Sequence, residues 1–540
     1  MFKKSISLII LLVIFSTTIS TNVLAETGDF VDMPDDWSKA AMENAVNNGL
    51  FTGIDGRIIP RDNLTRAQMA AIVNRAFGAT KMATLAEFVD VKQTDWFYEE
   101  FSKAVAMGTF QGSGKYLYPN DPITREQTFA VISRALSLSE SPIEPENISD
   151  LSDISNWARG EVLALVNNGY IQGSGGELNP QGYITIAEFA QVMTNIIMHY
   201  ISETGEYTLK VDGNLMVRSS GVSFVDSEIF GDLFLGVSLE DGLISLNNSN
   251  VSGRLVLNDV VRDQNIVIDE DSVVQKLIVE GTDVTVKIKG IVEELVVEEN
   301  SYNPILNIIG NGTVGNLIIN SGETSIDGDG IIEEITNNTE EIIALDTNIR
   351  EGVKLESIYP DDNVKDYYPK YSYITMLFNK EMIPLKNRDG IENIILRSDE
   401  GEDVEIEEIV SGVTARDNVL LIVDDNLKLG TDYTLSIPGN TLFSVDEIPY
   451  RHEINVDFKT ADNVLKGRIT YSGDIRGARL ELINESGETT DYRNLTDGAY
   501  IFTNIEEGNY VMRFTDTHGK EFNRQIGVDE NKLQYMDFHL

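Results

Sequence analysis

The sequence predicts a multidomain protein in which a small α-helical repeat bundle is followed by an all-β remainder, a right-handed parallel β-solenoid and then two β-sandwiches. Three observations carry this prediction. A helical pattern recurs three times between Phe30 and Tyr200 at intervals of 59 and 61 residues. From Gly205 onward, apolar strand-like bursts return every 18 or 22 residues, and after Leu345 that interval gives way to separated strands with turn residues between them. The 540 residues exceed the roughly 100 to 200 expected of one domain, so several cores are required.

The ends and the composition set the context. Lys3 and Lys4 precede an apolar run from Ile6 to Phe15, and Val23, Leu24 and Ala25 form a small-residue pattern before Glu26, so residues 1–25 read as a secretory signal peptide. The alternative is an N-terminal membrane anchor, but its unbroken apolar stretch is shorter than the roughly 18 residues a span needs. No later segment is long and apolar enough to cross a bilayer, so retention at a surface would come from recognition. Cysteine is absent, which removes disulfides, thiol nucleophiles and Cys-based metal sites together. A net charge of −45 argues against nucleic acid, whose phosphates need a basic footprint. His199, His452, His518 and His539 form no metal-ligand motif, and no Ser-His-Asp set, phosphate loop or His-Glu-x-x-His stretch is present, so we expect no catalysis, metal or cofactor.

The repeat can be followed residue by residue. Phe30-Val31-Asp32 returns as Phe88-Val89-Asp90 and, more loosely, as Ile148-Ser149-Asp150; the three tryptophans, Trp37, Trp96 and Trp157, follow in turn. Trp37, Ala40, Ala41 and Ala45 share one face at helical spacing, and Gly49, like Gly108 and Gly169, suits the left-handed residue that ends a helix. Pro60, Pro119 and Pro180 come next, then Thr65-Arg66-Ala67-Gln68, Thr124-Arg125-Glu126-Gln127 and Thr185-Ile186-Ala187-Glu188. A threonine three residues before Gln or Glu is a capping box, so a second helix starts there. In the third copy Phe189, Val192, Met193 and Ile196 mark its inward face. Each copy is helix, turn, helix, too small to bury a core alone, so three pack around one axis.

Arg66 and Arg125 do not follow from capping chemistry, because the first helical position mildly disfavours a cation. Two readings stand. In one, each arginine pairs with a neighbouring acid such as Asp32 or Asp90; in the other, exposed helix N-terminal amides and a guanidinium fork together form a carboxylate receptor.

Residues Asp29 to Tyr200 resemble three tandem S-layer homology domains, which combine an F-x-D start, a Trp, a helix ending in G-x-x-x-G and a T-R-A-E tetrapeptide, here matched by Phe30, Asp32, Trp37, Gly49, Gly53, Thr65, Arg66 and Ala67. The resemblance implies modules at 26–85, 86–145 and 146–202 that bind secondary cell-wall polysaccharide carrying pyruvate ketals. It implies Arg66 and Arg125 as principal ligands, with Asp32, Asp90, Trp37, Trp96, Trp157, Gly53 and Gly112 completing the ligand-binding set. Ile186 departs from the pattern, so at most two grooves are expected to work, with a structural third copy.

In residues 205–345, Leu215, Leu233, Leu255, Leu277, Leu295, Leu317 and Ile335 mark successive coils, at gaps of 18, 22, 22, 18, 22 and 18. Gly213-Asn214, Gly231-Asp232 and Gly315-Asn316 are expected to supply positive φ angles at turns. Residues 346–461, with strands around Ile374–Met382, Leu429–Leu435 and Val456–Thr460, resemble a bacterial Ig-like β-sandwich. Residues 464–540, with Asp497-Gly498 as a turn and Tyr500 and Tyr510 among the strands, resemble the prealbumin-like sandwich of carboxypeptidase regulatory domains.

The expected protein is therefore a secreted, wall-bound surface protein of a bacterium with a β-rich stalk or adhesive region, and its outward partner or self-association is unspecified. The rival readings are a wall-tethered polysaccharide-degrading enzyme using the solenoid, and a lattice-forming S-layer subunit.

Overall fold

The computed structural model describes residues 30–236, 243–258, 265–341, 343–361, 364–367, 373–385, 391–411, 418–423, 427–529 and 532–540. The expected signal peptide, residues 1–25, lies outside them. Two compact units are present, Met1–Arg350 and Glu351–Leu540.

The helices are α1 (Lys39–Asn47), α2 (Arg66–Phe77), α3 (Tyr98–Ala106), α4 (Arg125–Ala135), α5 (Arg159–Asn167) and α6 (Ile186–Ile196). All three predicted capping boxes form, at Thr65/Gln68, Thr124/Gln127 and Thr185/Glu188. Gly49, Gly108 and Gly169 follow the first helix of each copy at φ of 68°, 69° and 75°. One expectation is corrected: the inward face of α1 is Ala41, Met42, Ala45 and Val46. Trp37 precedes the helix and Ala40 is exposed, because the inward stripe begins at Ser38, one residue further along than the tryptophan suggests.

The helices of one copy pack mainly on those of its neighbours, α1 on α6, α2 on α3 and α4 on α5. At the centre the chain closes a triangle of backbone hydrogen bonds: Leu64 N–H donates to Ile184 O (2.9 Å), Ile123 N–H to Leu64 O (2.9 Å) and Ile184 N–H to Ile123 O (3.3 Å). Their side chains are fully buried. No copy can satisfy these groups alone, so the bundle is cooperative across all three.

The solenoid follows directly from α6. Its inward leucines are in register, Leu215 against Leu233, Leu255, Leu277, Leu295 and Leu317 in succession, every pair parallel; Ile335 continues the register but is 46% exposed at the end of the stack, outside the core. A second parallel sheet opposes the first, with Phe224, Leu246, Ile268, Ile288, Leu306 and Ile326 turned toward the same core. The glycines at the turns are corrected in part. Gly213 has φ 110°, but Gly231 and Gly315 are not left-handed. A Cβ on Gly231 would lie 2.4 Å from Gly213 C, and one on Gly315 would lie 2.5 Å from Glu293 O, so those sites demand glycine because the coil beneath is in backbone contact. Positive φ is supplied instead at Asp226, Asn248, Asp283 and Asn303.

The helical bundle does not hang free of the solenoid as an anchor before a stalk. On the outward face of the first sheet, Met216, Phe234, Val256 and Ile278 belong to the same buried cluster as the helices. Polar groups fix the seat. Arg218 donates to Asn48 O (3.0 Å) and Arg75 O (3.1 Å), and Arg254 to Leu136 O (3.2 Å) and Ser137 O (3.0 Å). Asn214 Nδ2 donates to Ile196 O (2.8 Å). These carbonyls sit at the C-terminal ends of α1, α2, α4 and α6, where the helix dipole favours a cation or a donor. Tyr170 donates to Asp232 Oδ2 (3.0 Å), and burial, with Asp232, pushes its pKa up to about 12.

The second unit contains two pairs of mainly antiparallel sheets. One pair is built on Tyr373–Phe378 with Asn418–Val423 and on Asp432–Ile437 with Ile454–Thr460; the other on Val464–Thr470 with Ala499–Thr503 and on Arg479–Ile483 with Gly508–Thr515. Gly498 makes its turn at φ 86°. Tyr500 and Tyr510 pack into the core of the last sandwich.

Candidate functional site: the inter-module grooves

The F-x-D aspartates are engaged by their own modules. Asp32 accepts from Ile58 N–H (2.8 Å) and Ile59 N–H (2.9 Å), Asp90 from Leu117 and Tyr118, and Asp150 from Leu178 and Asn179. Each carboxylate clips the loop that follows the first helix. Desolvation raises the Asp32 pKa, but backbone hydrogen bonds, those from Ile58 and Ile59 foremost, together with the nearby Arg57 outweigh it and hold the carboxyl below its ordinary value. The sign follows: the charged form is favoured by folding, so the clip's contribution is present above the unfolded-state pKa and lost as pH falls through the lower folded value. Thermal unfolding of wild type is therefore expected to lose stability below about pH 4, and Asp32→Asn to flatten that part of the profile.

Gly53 and Gly112 lie on the clipped loops at φ 61° and 65°. A Cβ on Gly53 would approach Phe30 Cε1 to 2.3 Å and Arg57 O to 2.7 Å, so the phenylalanine of the motif packs where only glycine leaves room. Gly53→Ala is expected to lower stability by about 1–3 kcal/mol, read as a fall in thermal midpoint.

The helix N-termini are not open anion receptors, which corrects part of the expected grip. Arg66 N–H donates to Asp121 O (3.1 Å), Ala67 N–H to Pro119 O (3.0 Å) and Gln68 N–H to Thr65 Oγ1 (3.2 Å); Arg125, Glu126 and Gln127 repeat the pattern with Gly182 O, Pro180 O and Thr124 Oγ1. The loop of the next module consumes the first two amides of each helix and the module's own capping threonine the third, leaving the guanidinium groups to face the grooves.

The arginines are seated alike but differ in their direct carboxylate partners. Arg66 Nε donates to Leu117 O (2.7 Å) and Nη1 to Gln127 Oε1 (3.3 Å). Arg125 Nε donates to Leu178 O (2.6 Å), while its Nη1 lies 3.6 Å from Glu188 Oε1. Among the described residues no carboxylate ion-pairs with Arg66. Burial lowers its pKa, with Asp121 and Asp90 opposing, but an arginine remains charged. Asp32 and Asp90 thus clip loops instead of pairing with the arginines.

Arg66 lines a groove of about 520 Å³ between modules, with Gly112, Tyr118, Gln127 and Arg134 from the second copy and Trp157 from the third. Trp157 is 52% exposed. The corresponding groove at Ile186 holds about 340 Å³ and is lined by Gly53, Ile54, Arg57, Arg75 and Trp96. Trp37 is likewise exposed, with the Arg61 guanidinium 6.0 Å from its ring centre and Arg61 paired with Asp36. The structure therefore brings together Arg66, Gly112 and Trp157 in one groove and Gly53 with Trp96 in another. It adds Gln127, Tyr118, Arg134 and Glu188, which sequence reasoning missed. The signal for Glu188 was legible, since the fourth residue of the capping tetrapeptide is Gln in two copies and Glu in the third.

Residues 29–70, 87–129 and 147–190 match the S-layer homology domain. The chain is 30% identical over 183 residues to Exoglucanase XynX of Acetivibrio thermocellus, covering 33% of this chain and 17% of that protein. It is 29% identical over 212 residues to the Surface-layer 125 kDa protein of Lysinibacillus sphaericus, covering 38% and 16%. The chain thus spans less than a fifth of either relative. Among solved structures, the N-terminal part of the bacterial S-layer protein SbsC is similar at 11% identity and a TM-score of 0.17, over 33% of this chain and 44% of that one, too slight a likeness to carry an argument. The N-terminal region consists of three S-layer homology domains. These domains and the surface-layer relative indicate a secreted, cell-surface, wall-associated protein.

Proposed function

We propose that the chain is a non-enzymatic surface protein that holds pyruvylated secondary cell-wall polysaccharide, chiefly in the Arg66 groove. One observation carries the reading: Arg66, held through Nε by Leu117 O and through Nη1 by Gln127, faces a groove walled by an exposed tryptophan and makes no ion pair among the described residues, although Asp121 also lines that groove. A planar fork in a half-buried groove suits a sugar-borne carboxylate, and the indole suits a sugar face. S-layer homology domains generally bind secondary cell-wall polymers, which supports a polysaccharide partner. The exoglucanase likeness covers too little of that protein to bring its activity with it.

Sedimentation of the full chain with purified cell wall, before and after chemical removal of pyruvate, tests the proposal. Equal binding after removal rejects the ketal mechanism. Release of reducing or unsaturated sugar ends by the chain would reject the non-enzymatic reading.

A further inference from the structure

We infer that the Arg66 groove is the first of two adjoining sugar subsites. The second is the cavity of about 430 Å³ where the helical bundle meets the solenoid, and it takes an uncharged, hydroxyl-bearing residue of the same glycan. This rests on the proposed function, but the site itself is built half from the solenoid.

Continuity is the first argument. Gln111 and Arg134 line both the Arg66 groove and the junction cavity, so a chain leaving one passes the walls of the other. The second argument is unsatisfied polarity. Glu161 and Asn258, only 8% and 5% exposed, line the cavity from the bundle and the solenoid respectively. Glu161 Oε2 and Asn258 Nδ2 make no hydrogen bond within the protein. Glu161 is held by its other oxygen, to which Arg134 Nε donates (2.6 Å), and Asn258 Oδ1 lies 3.3 Å from Ser137 Oγ, whose one proton is shared between it and the nearer Glu280 Oε2 (2.6 Å). A buried acceptor and a buried donor, both unpartnered, are what hydroxyl groups can complete, because each hydroxyl both gives and receives. Burying either atom without a partner costs stability, so sugar hydroxyls that complete them gain affinity.

Charge decides the class of sugar. Glu140, Glu280 and Glu298 join Glu161 around the cavity, against Arg134 alone. An acidic residue is repelled there, whereas neutral hydroxyls donate well to carboxylates. The pair of subsites thus reads an anionic unit beside an uncharged one, a specificity the helical modules do not carry by themselves.

Calorimetry on the full chain tests this with two probes, a pyruvylated monosaccharide and a pyruvylated oligosaccharide released from purified wall. Wild type is expected to bind the oligosaccharide on the order of tenfold more tightly. Glu298→Ala with Asn300→Ala, two turn positions of the solenoid that line the cavity, is expected to erase that preference while leaving monosaccharide affinity and the thermal midpoint unchanged. Retention of the length preference by this double variant overturns the second subsite alone. Arg66→Ala separates the two ideas: loss of monosaccharide binding upholds the grip, and unchanged binding of both probes removes the grip and the second subsite together.

Discussion

Arg66→Ala is expected to weaken binding of the full chain to pyruvylated wall polysaccharide by on the order of 100-fold, while Arg125→Ala loses only a few-fold. The asymmetry is electrostatic. A charge-assisted hydrogen bond contributes about 1.5–3 kcal/mol, and a forked pair with a carboxylate uses two, so removing a fork that no carboxylate already pairs directly costs about two decades of affinity. Arg125 starts from a different ground state, with Glu188 Oε1 3.6 Å from Nη1 and the guanidinium side chain only 15% exposed. An incoming carboxylate there must displace or tolerate an existing one, and like charges in a half-buried groove repel. Glu188→Gln keeps the capping box, as Gln68 and Gln127 do in the other copies, and removes the competing charge. It is expected to strengthen binding several-fold, and only when Arg125 is present. Titrations of wild type, the three single variants and the Arg125→Ala, Glu188→Gln double variant with soluble wall polymer at fixed ionic strength check this, since screening weakens the exposed part of the attraction. Equal losses from the two arginine variants would show that Glu188 does not govern its groove.

The sequence was most informative where the physics is local. Capping boxes need four residues, the helix-ending Gly49, Gly108 and Gly169 need one each, and the solenoid's inward leucines repeat the coil length, so each was legible directly, whereas Gly231 and Gly315 are set by backbone contact with the coil beneath and are not left-handed as expected. The central triangle of Leu64, Ile123 and Ile184 was not, because it exists only once three copies close on each other across 59 and 61 residues. The same closure consumes the helix N-terminal amides, which is why the anion receptor expected from a lone helix start does not form as drawn. The neutralised state of Arg125 was visible as a Gln-to-Glu change but acquires meaning only when α6 lies beside α4's arginine.

The seat of the bundle on the solenoid left a trace that alternation alone obscures. Leu233-Phe234-Leu235 is apolar at all three positions, and all three are fully buried, although one face of a solenoid strand ordinarily meets water. Met216, Val256 and Ile278 continue the stripe in register. Two-sided burial in a strand announces a second layer, and here the layer is the helical bundle.

That layer yields the other large expected effect. Phe234 packs edge-on against Phe77 with ring centres 6.4 Å apart and lies under the Arg254 guanidinium at 5.7 Å. Phe234→Ala is expected to cost about 3–5 kcal/mol, the range for emptying a buried aromatic site. Because the ring faces outward from the solenoid, the loss should fall on the junction and the helices, whereas Leu235→Ala, on the inward face of the same strand, should fall on the solenoid. Calorimetric unfolding of the full chain with limited proteolysis separates them: Phe234→Ala is expected to uncouple an early helical transition and speed cleavage near residues 197–214, and Leu235→Ala to lower the β transition. A Phe234→Ala profile indistinguishable from wild type would mean the bundle is stable without its seat. Below the transition, the same variant should still bind the pyruvylated monosaccharide through Arg66 but lose the preference for longer glycan, because the junction cavity depends on helices and solenoid remaining together.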